Sequence, residues 1–415
     1  MSLISTVAQA QGITWEQPYR GDDPSVLYLP DTKAVYWRYG WKRKPGDATG
    51  IVINGDIPNV RYFSYNVYDD EIKASVGSFT DFQISPADGH NNPFAGQGDG
   101  ASSSYKIYIL PEGTKNSFKN VLYFPDRLTK LSVFLRHYVP QDGIQGGASL
   151  PKIEQYDPIT MKPAAASASN KIPALSNQEV QKYLIPMLNN IVEKFERNPE
   201  AVIEELKSKR TGKPVDIKEL IASQVVAKSF KFFQPGEQHH SLRFQTAGTY
   251  PNKDNYYLGL PIIREKGQAL LARFKAPRIA SSFAEYASAD VRYFSLSQGD
   301  EHSYTHSTIM DVDMQIDAEG YANFIIADET PEMLAKAKAL NVNFMPWQSG
   351  QKMLLIYRHM LPGTNFENGI DKVAVFDSSK PVSEQFAIKT IGSYALVGQL
   401  INSEDIFAMS KFPTF

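Results

Sequence analysis

The chain has 415 residues, a formal net charge of −2 and no cysteine. At roughly 100–200 residues per domain, this length predicts two or three domains. The absence of cysteine excludes disulfides, thiolate nucleophiles and cysteine-ligated metal sites. The balanced charge argues against nucleic acid and anionic membrane surfaces as partners, and no apolar run is long enough to span a bilayer.

The start of the chain carries a motif typical of exported proteins. Ala8-Gln9-Ala10 has the small-x-small pattern of a signal-peptidase site, although no charged start or adequate apolar stretch precedes it. We therefore expect a periplasmic or secreted protein, with a cytoplasmic location as the alternative. Residues 1–24 are predicted to form an N-terminal extension.

Strand-length aromatic and apolar runs follow this extension. Ala34–Trp41 and Tyr105–Leu110 have the composition of β-strands, and clusters of Gly, Pro, Asn and Asp separate them as turns. Strands at this spacing predict a β-sandwich or jelly-roll-like domain over residues 25–160.

The pattern then changes to linker and helix. Residues 163–176 are rich in Pro, Ala and Ser. Ser176-x-x-Glu179 is a capping box, and apolar residues follow it at helical spacing. We predict a linker and helical bridge over residues 161–236.

Strand-like runs return in the last part of the chain. Ala269–Phe274 and Asn323–Ala327 resemble the strands of the first half. They predict a second β domain over residues 237–375, followed by a C-terminal extension over 376–415.

Three sequence blocks occur twice in the same order. Asn59–Ser64 is echoed by Asp290–Ser295, and Asp81–Ile84 by Asp313–Ile316. The third block pairs Asn120-Val121 and Phe134–Pro140 with Asn341-Val342 and Ile356–Pro362. The nearly constant spacing between the copies predicts an internal duplication. The predicted fold is therefore mainly β, with two tandem β-sandwich domains and a helical insertion.

These motifs resemble a bacterial domain family of unknown function. The resemblance rests on Tyr62-Phe63-Ser64, on Tyr68-Asp69 and on the strand Leu135-Arg136-x-Tyr138-x-Pro140. The second copy departs from the pattern, because Gln298-Gly299-Asp300 stands where Tyr68-Asp69 is expected. The resemblance implies a β-sandwich, often found in exported proteins, and it brings no catalytic residues.

Two Arg-His pairs are the main catalytic candidates. Because side chains alternate along a strand, Arg136 and His137 are expected on opposite faces, as are Arg358 and His359. Arg would hold an anion and His would move a proton. The alternative is structural: a buried histidine, and an arginine paired with an acid, for which Asp81, Asp313 and Asp69 are the candidates.

Two further groups of residues are candidate ligand contacts. Arg61 and Arg292 could line a pocket or form ion pairs between strands. Trp37, Tyr39 and Trp41 could present an aromatic surface, or they could belong to the core.

Calcium is the cofactor that the sequence leaves open. Asp88 and Asp99 lie in one oxygen-rich loop, and Asp311, Asp313 and Asp317 lie in another. Neither loop fits the EF-hand pattern, so turns without a metal are the alternative. No other cofactor is expected.

The sequence favours a protein that binds a small organic or glycan-like ligand, or one with a structural role in the cell envelope. The alternative is a cofactor-independent lyase, isomerase or hydrolase that uses the Arg-His pairs on an anionic or carbonyl-bearing substrate. An enzyme should have one enclosed pocket with convergent polar groups and a histidine of shifted pKa. A binder should show an open aromatic patch of roughly several hundred Å² with no acid–base pair.

Overall fold

A computed structural model describes most of the chain outside its middle section. The residues described are 14–23, 29–71, 74–98, 103–157, 162–163, 238–244, 250–300, 304–348, 350–377 and 379–415. The predicted helical bridge and most of its linker lie outside these ranges, and so does Asp99.

The fold is mainly β, as the sequence predicts. Its strands are β1 (Tyr19–Arg20), β2 (Ala34–Lys42), β3 (Gly50–Asp56), β4 (Tyr62–Asp69), β5 (Ala74–Thr80), β6 (Ser104–Pro111), β7 (Asn120–Phe124), β8 (Lys130–Tyr138), β9 (Lys152–Asp157), β10 (Lys162–Pro163), β11 (His239–His240), β12 (Asn255–Ile263), β13 (Gln268–Lys275), β14 (Val291–Gly299), β15 (Thr305–Met310), β16 (Tyr321–Ala327), β17 (Asn343–Pro346), β18 (Lys352–Pro362) and β19 (Val397–Asn402).

Helices are short and few in the described part of the chain. The α-helices are α1 (Pro331–Ala339), α2 (Ile388–Ile391) and α3 (Asp405–Ala408). The 3-10 turns are Asp81–Gln83, Pro93–Ala95, Phe283–Glu285, Asp311–Asp313, Ile370–Lys372, Val382–Gln385 and Gly392–Tyr394. None of the described helices has the length and apolar character needed to cross a bilayer.

The chain divides into two compact units. The first comprises Met1–Pro18, Tyr36–Glu71 and Ser75–Ala174, and the second comprises Tyr19–Val35, Ile72–Ala74 and Leu175–Phe415. The segment Tyr19–Val35 therefore packs with the second unit, although it precedes most of the first unit in the sequence. Sequence patterns gave no sign of this crossing.

The first unit contains two sheets with the strand orders β2-β8-β4-β5 and β10-β9-β3-β6-β7. The β6–β7 pair is parallel, and β4 runs antiparallel to β8. Phe63 and Tyr65 of β4 contact Tyr105 of β6, with 2.6 Å between the two tyrosine hydroxyls. These contacts place the core of the unit between its two sheets.

The second unit contains two sheets with the orders β12-β18-β14-β15 and β11-β19-β13-β16-β17. Here the β16–β17 pair is parallel, and β14 runs antiparallel to β18. The ring of Phe274 on β13 lies 4.1 Å from that of Tyr357 on β18, inside the main apolar core. Strand for strand, β2–β9 and β12–β19 thus have the same order in the chain and in the sheets.

The backbone at the end of the Arg-His strands is also equivalent. Val139 and Leu361, which follow the tyrosine or methionine after each histidine, have φ values of 49° and 47°. This left-handed conformation is rare for apolar residues. Beyond it, Gln141 N donates to Asn59 O, and Gly363 N donates to Asp290 O, so both strands end in the same unusual turn.

Candidate functional site

The two Arg-His pairs occupy equivalent positions in their sheets. On β4 and β8, Phe63 lies opposite His137, and Ser64 opposite Arg136. On β14 and β18, Phe294 lies opposite His359, and Ser295 opposite Arg358. In each unit the histidine faces the core and the arginine faces the other side of the sheet, which is the alternation that the sequence predicts.

His137 is packed into the core of the first unit. Its ring lies 5.0 Å from the ring of Trp37 and is 3% exposed as a residue. Nδ1 lies 3.4 Å from the carbonyl oxygen of Ile144. Burial lowers the pKa of His137 to about 4, so the ring is neutral near pH 7.

His359 is held as neutral imidazole by two bonds. Its Nδ1 accepts from Ile370 N at 3.2 Å, so Nε2 carries the proton and donates to the hydroxyl of Tyr357 at 2.8 Å. Burial lowers the pKa of His359 to about 3. Neither histidine opens to solvent, and this geometry favours the structural interpretation over acid-base catalysis.

Arg358 pairs with Asp31, which the sequence analysis did not propose. Arg358 Nη1 lies 3.7 Å from Asp31 Oδ2, and Nη2 donates to Leu29 O at 2.7 Å. Nη1 also donates to Ser297 Oγ. Asp313, one of the predicted partners, instead lies 3.3 Å from Lys33 Nζ.

Arg136 has aromatic neighbours. It donates to the hydroxyl of Tyr68 at 2.7 Å, and its guanidinium lies within 6 Å of the ring centres of Tyr36, Tyr68 and Phe134. The carboxylates of Asp81 and Asp69 accept hydrogen bonds from backbone amides. Asp81 accepts from Phe63 N and Phe82 N, and Asp69 accepts from Glu71 N.

The predicted ligand contacts are buried or half-buried. Trp37, Tyr39 and Trp41 are each at most 2% exposed, and Tyr39 stacks on Trp41 with ring centres 6.0 Å apart. They do not form an open aromatic surface. Arg292 is buried and lies over the ring of Tyr286 at 3.7 Å, whereas Arg61 is half-buried.

The described acidic residues that were proposed for calcium have other roles. Asp311 accepts from the amides of Phe294 and Val312. Asp317 accepts from Glu319 N, Tyr321 N and Asn323 Nδ2. Asp88 lies 2.6 Å from Lys119 Nζ. Among the residues described, no three His, Asp or Glu side chains lie close enough together to hold a metal ion.

Hydrogen bonds also correct the alignment of the second repeated block. Asp81 and Asp311 make the same bonds to the following amide and to the β4 or β14 amide. Asn120 Oδ1 and Asn343 Oδ1 likewise accept from the amides of Ser85 and Gln315, each two residues beyond such a turn. Asp311 and Asn343, not Asp313 and Asn341, are therefore the equivalents of Asp81 and Asn120.

The two units differ sharply in one loop. In the first unit residues 85–103 connect the Asp81–Gln83 turn to β6, whereas in the second unit residues 315–320 connect Asp311–Asp313 to β16. The longer loop builds an open pocket of about 500 Å³. Loops carried on a rigid β scaffold are common places for binding sites.

Asn92 holds this pocket loop in place. Its side chain is fully buried, and Nδ2 donates to the carbonyl oxygens of Asp81 and Ile84 at 2.7 and 2.8 Å. Its Oδ1 caps the Pro93–Ala95 turn by accepting from Phe94 N at 3.0 Å. One buried amide therefore ties the loop to the Asp81–Gln83 turn.

The pocket combines one exposed aromatic ring with many polar groups. Phe82 is 41% exposed, which is unusual for so large an apolar side chain. The other lining residues are Gln83, Ile84, Ser85, Pro86, Ala87, Asp88, Gly89, His90, Asn91, Ala95, Gln97 and Lys119. We call this group of residues the Phe82 pocket.

The amides in the Phe82 pocket are oriented by the backbone. Gln83 Oε1 accepts from Thr80 N, and Gln97 Oε1 accepts from Asn92 N, both at 3.0 Å. Each of these side chains also carries an NH2 group, which is a hydrogen-bond donor. The charged pair Asp88 and Lys119 largely neutralises itself at the rim.

Sequence reasoning identified the loop around Asp88 but not the pocket. Two signals were present: the greater length of this connection relative to its repeat, and Asn92-Pro93, an N-cap followed by a first-turn proline. Nothing in the sequence indicated that Phe82 is exposed, because a single Phe next to a strand usually belongs to the core.

Comparisons with known proteins indicate a fold but no function. No family model and no curated protein matches the sequence. The chain is similar to the crystal structure of an uncharacterised protein from Burkholderia cenocepacia, with a TM-score of 0.53 and 12% identity over 97% of this chain and 85% of that one. The VPA0106 protein from Vibrio parahaemolyticus gives a TM-score of 0.39 at 11% identity, with 90% of each chain covered.

The first of these similarities shows that the fold occurs in another protein. Its identity is too low to carry residue roles from one chain to the other. The comparisons are consistent with the prediction of an uncharacterised family, and they assign no activity.

Proposed function

We propose that the chain is a glycan-binding protein built from two tandem copies of one β-sandwich, with its ligand site in the Phe82 pocket. The observation that carries the binding proposal is the exposed ring of Phe82 beside a polar, loop-built pocket. Sugars present apolar CH faces and many hydroxyl groups, so they fit one aromatic ring surrounded by amide and hydroxyl side chains.

The duplication is supported by topology and by register. Both units have the same strand order, one parallel strand pair at the same place, and an Arg-His strand in the same register with its neighbour. They also have a left-handed residue two positions after the histidine. A common origin explains all four features at once.

The difference between the copies supports a single ligand site. Val312 occupies the position of Phe82 in the second unit and is 52% exposed, but residues 315–320 are too short to build the same loop beside it. The shared frame thus has a structural role, and the added loop of the first unit supplies the binding function.

Glycan binding by the full chain tests this proposal. A glycan array followed by calorimetry with a neutral oligosaccharide should show binding that Phe82→Ala weakens about five- to tenfold, because stacking on an aromatic ring contributes roughly 1–1.5 kcal/mol. Val312→Ala is the matched control and should leave the affinity unchanged. No binding to any neutral glycan, or equal loss in both variants, would refute the proposal.

Export remains a separate proposal, supported by the Ala8-Gln9-Ala10 motif. Cell fractionation of the protein expressed from its natural gene would test it. Recovery in the cytoplasmic fraction alone would contradict it.

A further inference from the structure

In the second unit, the segment 29–33 packs on the face of the β12-β18-β14-β15 sheet that points away from the main core. We call this segment the strap. Asp31 Oδ2 accepts from the hydroxyl groups of Tyr293 and Ser295 at 2.8 and 2.7 Å. Arg358 Nη1 lies 3.7 Å from the same oxygen. Two neutral donors and one cation therefore hold one carboxylate oxygen, an arrangement that favours an anion.

Side chains of the sheet also bond the backbone of the strap. Thr305 Oγ1 donates to Pro30 O at 2.7 Å. Thr32 N donates to Thr308 Oγ1 at 3.3 Å. The arginine that faces the carboxylate donates to the carbonyl oxygen of Leu29 at 2.7 Å. In the recognition of extended peptides, such main-chain bonds supply affinity, and pockets for side chains supply specificity.

The apolar anchor of the strap is Leu29. Its side chain packs with Leu354 and Ile356, apart from the main core. A Cβ atom on Gly299 would come within 2.4 Å of Leu29 Cδ2, so glycine at this position leaves room for the leucine. Leu29 has a φ of 52°, a left-handed conformation that is rare for an apolar residue. A segment held mainly by polar contacts, with backbone strain, is suited to local opening.

We propose that this face of the second unit is a peptide-binding site, which the strap occupies within the same chain and releases reversibly. Its external ligand is an extended peptide with an apolar residue two positions before an aspartate, the spacing of Leu29 and Asp31. The apolar side chain takes the place beside Gly299, and the carboxylate takes the place beside Ser295 and Arg358. This site is separate from the Phe82 pocket and does not depend on the proposed glycan function.

Hydrogen exchange of the full wild-type chain tests the release of the strap. The amides of Thr32 and Lys33 should exchange at least about tenfold faster than amides in the middle of β14 and β18, because the strap opens while the sheet stays folded. Equal protection of the strap and the sheet would overturn the proposal, since the strap would then open only when the unit unfolds.

A synthetic peptide with the sequence of residues 29–34 and blocked ends is the probe for the site itself. Fluorescence anisotropy should show that it binds the full-length Asp31→Ala chain at least about tenfold more tightly than the wild type, because the intact strap of the wild type competes for the same face. The same peptide carrying Asp31→Asn should bind the Asp31→Ala chain at least about tenfold more weakly, since it lacks the charged acceptor.

Two further substitutions in the Asp31→Ala chain locate the bound peptide. Ser295→Ala should weaken peptide binding about tenfold, because it removes a hydrogen bond to the carboxylate. Val312→Ala, at a residue that is 52% exposed, should leave it unchanged. A folded Asp31→Ala chain that does not bind the peptide would overturn the proposal. Global unfolding of that chain would overturn it too, because a unit that releases its strap must stay folded without it.

Discussion

At the scale of single residues, the most informative feature is a pair of buried histidines. His137 and His359 have pKa values lowered by burial to about 4 and about 3, against about 6.5 in an unfolded chain. At a pH between the folded and the unfolded pKa values, the unfolded chain binds more protons than the folded chain. Their contribution to stability is therefore complete above about pH 6.5 and is lost as the pH falls toward 4.

This difference predicts a specific pH dependence of stability. The free energy of unfolding should fall between pH 6.5 and pH 4.5, by up to about 3 kcal/mol for each histidine. His359→Gln should reduce that pH dependence, although it also costs stability at pH 7 because the bond to Ile370 N is altered. Urea unfolding at a series of pH values measures both effects.

A substitution at an exposed residue without a titratable group is the control for this prediction. Asn91→Ala should leave the pH profile unchanged, because it removes no titratable side chain. A wild-type profile that is flat from pH 7 to pH 4.5 would contradict the buried neutral state of both histidines.

Alternation along a strand was enough to predict the faces of these residues. It could not predict their partners, because a hydrogen-bond partner depends on which segments meet in space. The pairing of Arg358 with Asp31 joins residues far apart in the sequence, and no local pattern around Asp31 indicates it. The sequence suggested acidic residues of the repeated blocks as partners of the arginines. For Arg358 this prediction was wrong, because Asp313 lies near Lys33 and Asp31 is the partner.

At the scale of elements, the loop that forms the Phe82 pocket depends on Asn92. Its amide satisfies the carbonyl oxygens of Asp81 and Ile84 and the amide of Phe94. Asn92→Ala would remove the donor to the buried carbonyl oxygen of Ile84, at a cost of about 1–3 kcal/mol, and would leave Asp81 O with only the Ile84 amide. Because the loop lies outside the core, we expect much of this cost to appear as local opening.

Hydrogen exchange measures that local opening. Amides of Phe94, Ala95 and Gly96 should exchange at least about tenfold faster in Asn92→Ala, while amides of β4 and β8 keep their protection. Asn91→Ala, which removes an exposed neighbour, should leave all of these rates unchanged. Equal exchange in the two variants would show that Asn92 does not hold the loop.

Strand existence was largely predictable and loop geometry was not. Aromatic and β-branched runs mark β2, β4, β6 and β8 in the sequence, since such residues fit a buried pleated surface. The turn after β5 was aligned two residues out of register with its repeat, because Asp and Gln recur at short intervals there. Only the hydrogen bonds of Asp81 and Asp311 fix the equivalence.

At the scale of the whole molecule, the two units have the same strand order but differ in their loops and in the segments that pack on them. The sequence repeats predict the frame, and matched topology and register support their origin in a duplication. The course of Tyr19–Val35, which packs with the second unit, was not predictable from composition. Its contacts through Asp31 and Leu29 depend on the folded sheet that receives it.

The central claim is that a ligand site lies in the added loop of the first unit and nowhere equivalent in the second. Hydrogen–deuterium exchange of the full chain, with and without a neutral oligosaccharide selected on the array, tests it most directly. The account predicts added protection within residues 82–98 and at Lys119, and no change within 311–320. Added protection at 311–320, or none in the Phe82 pocket, would contradict it.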